Sequence, residues 1–507
     1  MDPKRSSSPA GRTLWLLSSQ YVNLALNIVS GLVLIPFYLK SIDVPTYGAW
    51  LATGELLAWL TMVDPGLGAA VQQRVALAFG AEQRERAGAF AAAGIVSMTA
   101  LGVVVALLGA VFSSRLVDWL RIPASVSHVA LTQAFLVAVA GTFLMLWAYG
   151  PAAVCAGLQR VKGLGILNVV ATILGMVTTI VFLLQGSGLM ALALGSITRG
   201  ICQLVGCMSI MLYALRQSGI KLTFRRWALR ELLGLSAYSY LSQLAGLLRN
   251  RSDSLLLTRA LGPTVSAQYA LTRRLPGLGF TVAERPSFSF MPALSEAAGR
   301  SDVSQLRRLI SPLLMGTIWL TGLSALLVLS LNEAFVTVWV GHKLSAGPSV
   351  SFWISAFLLI QVPTEVLVNV SMALGRFRET SLALLVEAVV YVVALAVGVH
   401  FYGALGAAIA LWVGKLAVSV WYFPRLWYRE GLLGGDDWLK LLREFALSVG
   451  IVAMLWLVAR SHIPTSWRGL VASASLLTIA YGSLVLAASK EFRALSRRIV
   501  QRVRANQ

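Results

Sequence analysis

The chain has 507 residues, of which 57% are hydrophobic and only 12% are charged. Soluble globular proteins are about one quarter charged, so this composition argues against a soluble enzyme, a nucleic-acid binder and a disordered scaffold. It predicts an integral membrane protein, in which the net charge of +21 is typical of basic cytoplasmic loops. The three cysteines and four histidines show no metal-ligand spacing and no catalytic triad pattern, so neither a cofactor nor an enzyme is expected.

Fourteen stretches are long enough to cross a bilayer, because a spanning helix needs about 20 mostly apolar residues. In chain order they are predicted at 13–39, 46–73, 87–113, 127–158, 162–184, 189–215, 232–260, 263–296, 304–331, 348–374, 379–400, 404–426, 439–460 and 467–488. The first stretch is too long for a cleaved signal peptide and is predicted to be an uncleaved span. The predicted fold class is an all-α integral membrane protein with about fourteen transmembrane helices.

Lysine and arginine are distributed unequally between the two sides of the predicted membrane. With the N-terminus in the cytoplasm, the inner loops and tails contain 28 of these residues and the outer loops contain seven. Cytoplasmic loops are enriched in basic residues, so both termini are predicted to be cytoplasmic. All connections are short, which argues against a membrane glycosyltransferase or ligase, since these need room for an active site outside the bilayer.

The two halves of the chain resemble each other. Pro45-Thr46 aligns with Pro263-Thr264 at an offset of 218, residues 157–160 align with 373–376 at 216, and residues 188–194 align with 403–409 at 215. Three ordered matches at nearly one offset predict two six-helix lobes around a central lumen, related by an axis along the membrane normal, with substrate between them. The predicted domains are an N-lobe of helices 1–6 (1–220), a C-lobe of helices 7–12 (221–430), two extra helices (431–488) and a basic cytoplasmic tail (489–507).

Charged side chains inside predicted spans are costly and therefore mark functional sites. The candidate substrate-binding cations are Arg249, Arg273, Arg274, Arg251, Arg285, Arg199 and Lys415. The candidate proton-coupling acids are Glu365, Asp253, Glu284, Asp64 and Glu55, and Glu387 is a further intramembrane acid.

Two interpretations of these charges compete. In the first, acids neutralise the cations locally, with Arg249 pairing with Asp253 one turn away and Arg273 pairing with Glu284. In the second, an anionic substrate binds, because spans seven and eight carry five cations against two acids and an arginine fork donates two hydrogen bonds to a phosphate or carboxylate. The second is favoured, with Arg249, Arg273 and Arg274 at similar depth and Arg285 as a lower contact on the cytoplasmic side.

Coupling to an H⁺ or Na⁺ gradient is also possible on this pattern of acids. A carboxyl in a low-dielectric cavity can take up a proton. Glu365 is the first candidate because it follows Pro363-Thr364, where the proline distorts the helix. Asp64 is equally well explained as a cap for backbone N–H groups freed at Pro65.

Several ordered motifs are similar to those of Wzx-type O-antigen and polysaccharide flippases. These are Tyr47-Gly48-Ala49-Trp50 followed by residues 64–70, the segment 253–262 followed by Tyr269-Ala270-Leu271, Pro292-Ala293-Leu294-Ser295, Gly375-Arg376 and residues 402–410. Two positions depart from the family pattern, namely Pro65, where an apolar residue is usual, and Thr258, where glycine is usual.

The resemblance implies membership of the multidrug/oligosaccharidyl-lipid/polysaccharide exporter superfamily, whose members form a V of two six-helix lobes and work by alternating access. It implies a flippase for undecaprenyl-pyrophosphate-linked glycan in the bacterial inner membrane, in a pathway that also contains polymerase and chain-length proteins. No nucleic-acid partner is expected. The alternatives are a lipid II flippase, a cation-coupled multidrug antiporter of the same superfamily, and a membrane glycosyltransferase or ligase.

Overall fold

The computed structural model describes residues 31–60, 66–235, 237–299, 303–461 and 463–494, and these residues are mainly helical. The first nine helices are α1 (Gly31–Ser41), α2 (Val44–Leu60), α3 (Leu67–Gly80), α4 (Arg84–Ser113), α5 (Leu116–Leu120), α6 (His128–Gly157), α7 (Val161–Leu184), α8 (Leu189–Ser218) and α9 (Arg226–Leu235). The others are α10 (Ala237–Leu261), α11 (Pro263–Thr272), α12 (Arg274–Gly299), α13 (Val303–Val340), α14 (Pro348–Ala373), α15 (Phe377–Ala417), α16 (Ser419–Arg429), α17 (Gly435–Ala459) and α18 (Trp467–Ala488).

The chain is a multi-pass membrane protein. Within the described ranges, nine helical stretches are long and apolar enough to cross a membrane, and one of them, Phe377–Arg429, covers two predicted spans. The predicted count of fourteen is therefore not confirmed. The first predicted span is described only from residue 31, the second is divided into the short helices α2 and α3, and α10 and α12 carry many polar residues.

Helix α15 is a hairpin of two antiparallel helices that share one label. The backbone leaves the helical conformation at Gly403 (φ 59°, ψ −138°). Beyond this turn Gly406 lies against Gly398, and Gly414 lies against Tyr391, so the two arms run in opposite directions. A Cβ on Gly406 would lie 1.8 Å from the Gly398 carbonyl oxygen, so the arms approach this closely only because both residues are glycine. The predicted division between spans eleven and twelve is confirmed.

Backbone conformation repeats along the chain at the offsets seen in the sequence. Gly188 (φ 54°, ψ −130°) and Gly403 (φ 59°, ψ −138°) are 215 residues apart and each precedes a helical arm. Gln159 (φ 60°) and Gly375 (φ 80°) are 216 residues apart and each follows a long helix. Because left-handed backbone is uncommon outside turns, its recurrence at matched positions supports the internal repeat.

The described chain packs as two compact units. Unit 1 comprises residues 1–247 and 261–264, and unit 2 comprises residues 248–260 and 265–507. In unit 1, α6 packs against α4 and α8, and α3, α4, α6, α8 and α9 enclose an apolar core that includes Val71, Phe90 and Met211. In unit 2, one core joins α10, α11, α14 and α15, and a second joins α12, α13 and α14. The lobe boundary at residue 220 stays a prediction.

Polar contacts attach the last two helices to the rest of unit 2. The Tyr481 hydroxyl of α18 lies 2.8 Å from the Ser448 hydroxyl of α17 and 3.0 Å from the Trp319 carbonyl oxygen of α13. Gly322 of α13 leaves room for both hydroxyls, because a Cβ there would lie 2.1 Å from each of them.

Helix α13 extends to Val340, beyond the predicted end at 331. The polar residue Asn332 is accommodated in this extension because its side-chain amide donates hydrogen bonds to the Thr272 carbonyl oxygen (3.0 Å) and the Ser351 hydroxyl (2.8 Å).

Candidate functional site

Four charged side chains meet inside unit 2, from α10, α14 and both arms of α15. The Arg249 guanidinium donates to both carboxylate oxygens of Glu365, at 3.1 and 3.2 Å, and to Glu387 Oε1 at 3.2 Å. Lys415 Nζ lies 3.1 Å from an oxygen of each of the same two acids. Two cations and two anions thus alternate in one charge-neutral ring, which we call the α10–α15 charge cluster.

This cluster is almost enclosed. The exposed fractions of the side chains are 1% for Glu387, 2% for Lys415, 11% for Glu365 and 21% for Arg249. Ser419 adds a hydrogen bond to the second oxygen of Glu387. Removing one partner of such a buried pair leaves an uncompensated charge, which costs about 3–5 kcal/mol, so the cluster holds α10, α14 and α15 together.

A second network lies beside the first. Asp253 of α10 accepts hydrogen bonds from Arg273, at the junction of α11 and α12, and from the Tyr391 hydroxyl of α15. The exposed fraction of the Asp253 side chain is 4%, and that of Arg273 is 25%. Arg249, Arg273, Glu387, Tyr391 and Lys415 line the same small cavity, together with Asn250 and Gln361.

The predicted local pairs are wrong. Arg249 pairs with Glu365 and Glu387 instead of Asp253, and Asp253 pairs with Arg273. Arg273 does not reach Glu284 because eleven helical residues separate them by about 16 Å along the axis. The guanidinium of Arg249 instead donates hydrogen bonds through both terminal nitrogens to two carboxylates on neighbouring helices, Glu365 and Glu387. The surplus of positive charge counted within spans seven and eight therefore shrinks, since acids of α14 and α15 supply the balance.

The remaining candidate substrate-binding cations lie outside the α10–α15 charge cluster and the Asp253–Arg273 network. Arg274 begins α12 and is half-buried, and it forms neither a hydrogen bond through its side chain nor a salt bridge with any residue that the structure describes. Arg285 of α12 lies over the Phe288 ring at 5.9 Å. In unit 1, Arg199 of α8 has a buried Nε without a hydrogen-bond partner among the described residues. Arg251 is exposed on α10.

The candidate proton-coupling acids differ in the groups that surround their carboxylates. Glu365 lies between Arg249 and Lys415, which stabilise its anionic form. Glu284 of α12 instead accepts a hydrogen bond from Asn369 at 3.0 Å and has no salt bridge within the described ranges. Glu55 is half-buried on α2 in unit 1. Asp64 and residues 495–507 of the basic tail lie outside the described residues.

Glu387, Tyr391 and Ser419 were not among the predicted site residues. Glu387 was recognised as an intramembrane acid, and one sequence signal could have placed it. Folding spans eleven and twelve back at residues 402–403 brings positions 387 and 415 opposite each other, and these are the Glu387–Lys415 pair. Tyr391 and Ser419 carried no such signal, because single hydroxyls are common in spanning helices.

The fold is similar to that of MATE transporters and of the lipid II flippase MurJ. A multidrug resistance MATE family transporter in an inward-facing conformation superposes with a TM-score of 0.66 at 16% identity, covering 81% of this chain and 94% of that one. The lipid II flippase MurJ superposes with a TM-score of 0.70 at 12% identity, covering 94% of this chain and 99% of that one. The Vibrio cholerae MATE transporter VcmN superposes with a TM-score of 0.55 at 20% identity, covering 83% and 98%.

Residues 95–345 match the family model described as "Polysaccharide biosynthesis protein". Over this stretch the chain is similar to that family, in line with the resemblance to polysaccharide flippases seen in the sequence. No curated protein matches the chain in sequence. The solved structures that share this fold are membrane transporters.

Proposed function

We propose that the protein is a flippase that moves undecaprenyl-pyrophosphate-linked oligosaccharide across the bacterial inner membrane by alternating access. The observation that carries this proposal is Arg274, a half-buried arginine inside a predicted span, with no salt bridge to a described residue. A lone buried guanidinium is costly, whereas a pyrophosphate supplies the oxygens that its fork is suited to bind. The match of residues 95–345 to the family model described as "Polysaccharide biosynthesis protein" supports a glycan on the same lipid.

The proposed substrate contacts fall into two groups according to their ion pairing. Three of these cations make no salt bridge with described residues and can bind an anion directly, namely Arg274, Arg285 and Arg199. Arg249, Arg273 and Lys415 already hold carboxylates, so each would have to exchange a carboxylate for phosphate. Arg274 is therefore our first pyrophosphate ligand, and Arg251 stays a candidate.

Substitution of Arg274 tests the proposal. Arg274→Ala should lower flipping of labelled lipid-linked oligosaccharide in proteoliposomes by tenfold or more, because the phosphate loses its fork donor. Arg274→Lys separates charge from geometry, since a lysine retains the charge but not the bidentate hydrogen bonds. If paired hydrogen bonds are required, the lysine variant should fail as well.

The matched control is Arg425→Ala, which removes an exposed arginine on α16 outside the site. It should transport at the rate of the unsubstituted protein. Full transport by Arg274→Ala, with protein levels matched, would show that the half-buried arginine does not bind substrate. Repeating the assay with lipid II separates the alternative lipid II flippase activity, which the extent of the MurJ superposition favours.

We propose Glu284 ahead of Glu365 as the coupling acid, because an amide rather than two cations faces its carboxylate. In the same vesicles, Glu284→Gln should remove the response of transport to an imposed pH gradient. Glu365→Gln should retain that response. An unchanged response in Glu284→Gln would assign it a structural role, and a sodium gradient in place of the proton gradient tests Na⁺ coupling.

A further inference from the structure

A basic cleft of about 510 Å³ lies in unit 1, where α4 begins and the connection from α8 to α9 passes. Its walls are formed by Arg84 and Arg86 of α4, by Lys221, Thr223 and Arg225 of the connection, and by Trp227 of α9. None of these residues belongs to the proposed transport site. We call this feature the α4–α9 cleft.

Close backbone packing builds the cleft. A Cβ on Gly88 of α4 would lie 2.1 Å from the Lys221 carbonyl oxygen, so the connection rests directly on α4 only because residue 88 is glycine. On the other wall the Trp227 ring packs edge-on against Phe90 at 5.2 Å, and Ala228 and Leu232 beneath it are fully buried. The cationic groups are therefore held by a packed scaffold.

The charge in the cleft is unbalanced. Four cations, Arg84, Arg86, Lys221 and Arg225, share it with a single acid, Glu85. Across the described part of the chain none of these five side chains forms a salt bridge. Arg86 lies 5.5 Å from the centre of the Trp227 ring and donates to Gln83 at 3.2 Å, which orients its guanidinium. Converging cations that outnumber the acid among them are stabilised by a bound anion, and arginine forks with a nearby hydroxyl suit phosphate.

The cleft also lies at the edge of the apolar zone. Helices α4 and α8 are both candidate spans, and the cleft opens where α4 starts at Arg84 and α8 ends at Ser218. Large apolar side chains are exposed in or next to the lining residues, namely Leu222 (42%), Phe224 (47%) and Trp227 (43%). Apolar side chains interleaved with basic ones are typical of segments that lie in the membrane interface. A ligand there meets headgroup and acyl chain together.

We propose that the α4–α9 cleft binds the phosphate group of a lipid headgroup at the membrane surface, with the flanking apolar side chains contacting the acyl region. This site is separate from the proposed substrate contacts. Both an anionic phospholipid and a polyprenyl pyrophosphate carry the required group, and a free phosphate ion lacks the acyl part.

The experiment is native mass spectrometry of the full-length protein in detergent, titrated with phosphatidylglycerol or, as the zwitterionic comparison, phosphatidylcholine. Arg84→Gln/Lys221→Gln should weaken phosphatidylglycerol binding tenfold or more and leave phosphatidylcholine binding unchanged. The matched control Arg425→Gln/Arg429→Gln removes two exposed arginines outside the cleft and should stay within twofold of the unsubstituted protein. Arg86→Gln/Arg225→Gln removes the other two cations and covers the case in which the first variant unfolds, which thermal unfolding would reveal.

Two competition arms identify the source of the phosphate. Displacement of phosphatidylglycerol by an equimolar amount of undecaprenyl pyrophosphate would support the site and name the polyprenyl lipid as its ligand. Resistance to that lipid, with the variant effect intact, would support the phospholipid. Equal weakening in cleft and control variants, or full displacement by inorganic phosphate at the lipid's own concentration, would overturn the proposal.

Discussion

Arg249 is the residue on which the α10–α15 charge cluster depends. Its fork bridges Glu365 and Glu387, whose other neighbour is Lys415. Without Arg249, two buried carboxylates share one ammonium group, and the excess negative charge in a low-dielectric site is destabilising. The residue that removes this excess most directly is Glu365.

A double substitution distinguishes this pairing from the local one. Arg249→Met should destabilise the protein by about 3–5 kcal/mol, and adding Glu365→Gln should recover most of the loss. Adding Asp253→Asn instead should not, because Asp253 pairs with Arg273. Thermal unfolding followed by tryptophan fluorescence in detergent provides the measurement. Recovery with Asp253→Asn alone would mean that the pair one turn apart on α10 is the energetically important one.

At the scale of helices, the α15 hairpin places Glu387 and Lys415 opposite each other. Its arms approach through Gly398 and Gly406, and a methyl group on Gly406 would overlap the opposite carbonyl. The arms would have to separate, which would also stretch the Glu387–Lys415 pair at 3.1 Å. Backbone contact between the arms and charge pairing are therefore coupled within one helical element.

Alanine substitution of two helical glycines tests this coupling. Gly406→Ala should lower the thermal unfolding midpoint by several degrees, since overpacking costs about 1–3 kcal/mol. Gly450→Ala in α17 meets nothing within 4 Å and should be neutral or stabilising, because alanine favours helix over glycine by about 1 kcal/mol. Equal midpoints for the two variants would show that the arms adjust without strain.

At the scale of the whole molecule, the unequal distribution of basic residues sets the expected orientation. A reporter fused after Gln507 should be active on the cytoplasmic side, and one fused after Pro464 should be active on the periplasmic side, because the inner loops and tails hold 28 lysines and arginines against seven in the outer loops. The same membrane side for both fusions would contradict an odd number of passes between the two positions. A periplasmic C-terminus would contradict the count of fourteen spans.

The sequence by itself determined the membrane class and the bounds of several helices. Helix α18 begins and ends at the predicted residues, and α6, α7 and α14 begin and end within one residue of the prediction. These features are local, because a spanning helix satisfies its own backbone hydrogen bonds and ends where glycine, proline or serine interrupts an apolar run. The repeat at offsets of 215–218 was readable from three ordered sequence matches, and positive-φ turns recur at two of these offsets, 215 and 216.

Only the tertiary structure decided which charges pair. Arg249 and Glu365 are 116 residues apart, and Arg249 and Glu387 are 138 apart, so sequence proximity favoured the wrong partner, Asp253. A buried cation pairs with the carboxylate that neighbouring helices bring to its fork, and the choice of neighbours depends on packing across the unit. The half-buried position of Arg274, whose Nε has no hydrogen-bond partner among the described residues, and the convergence of four cations in the α4–α9 cleft arise from the same long-range packing.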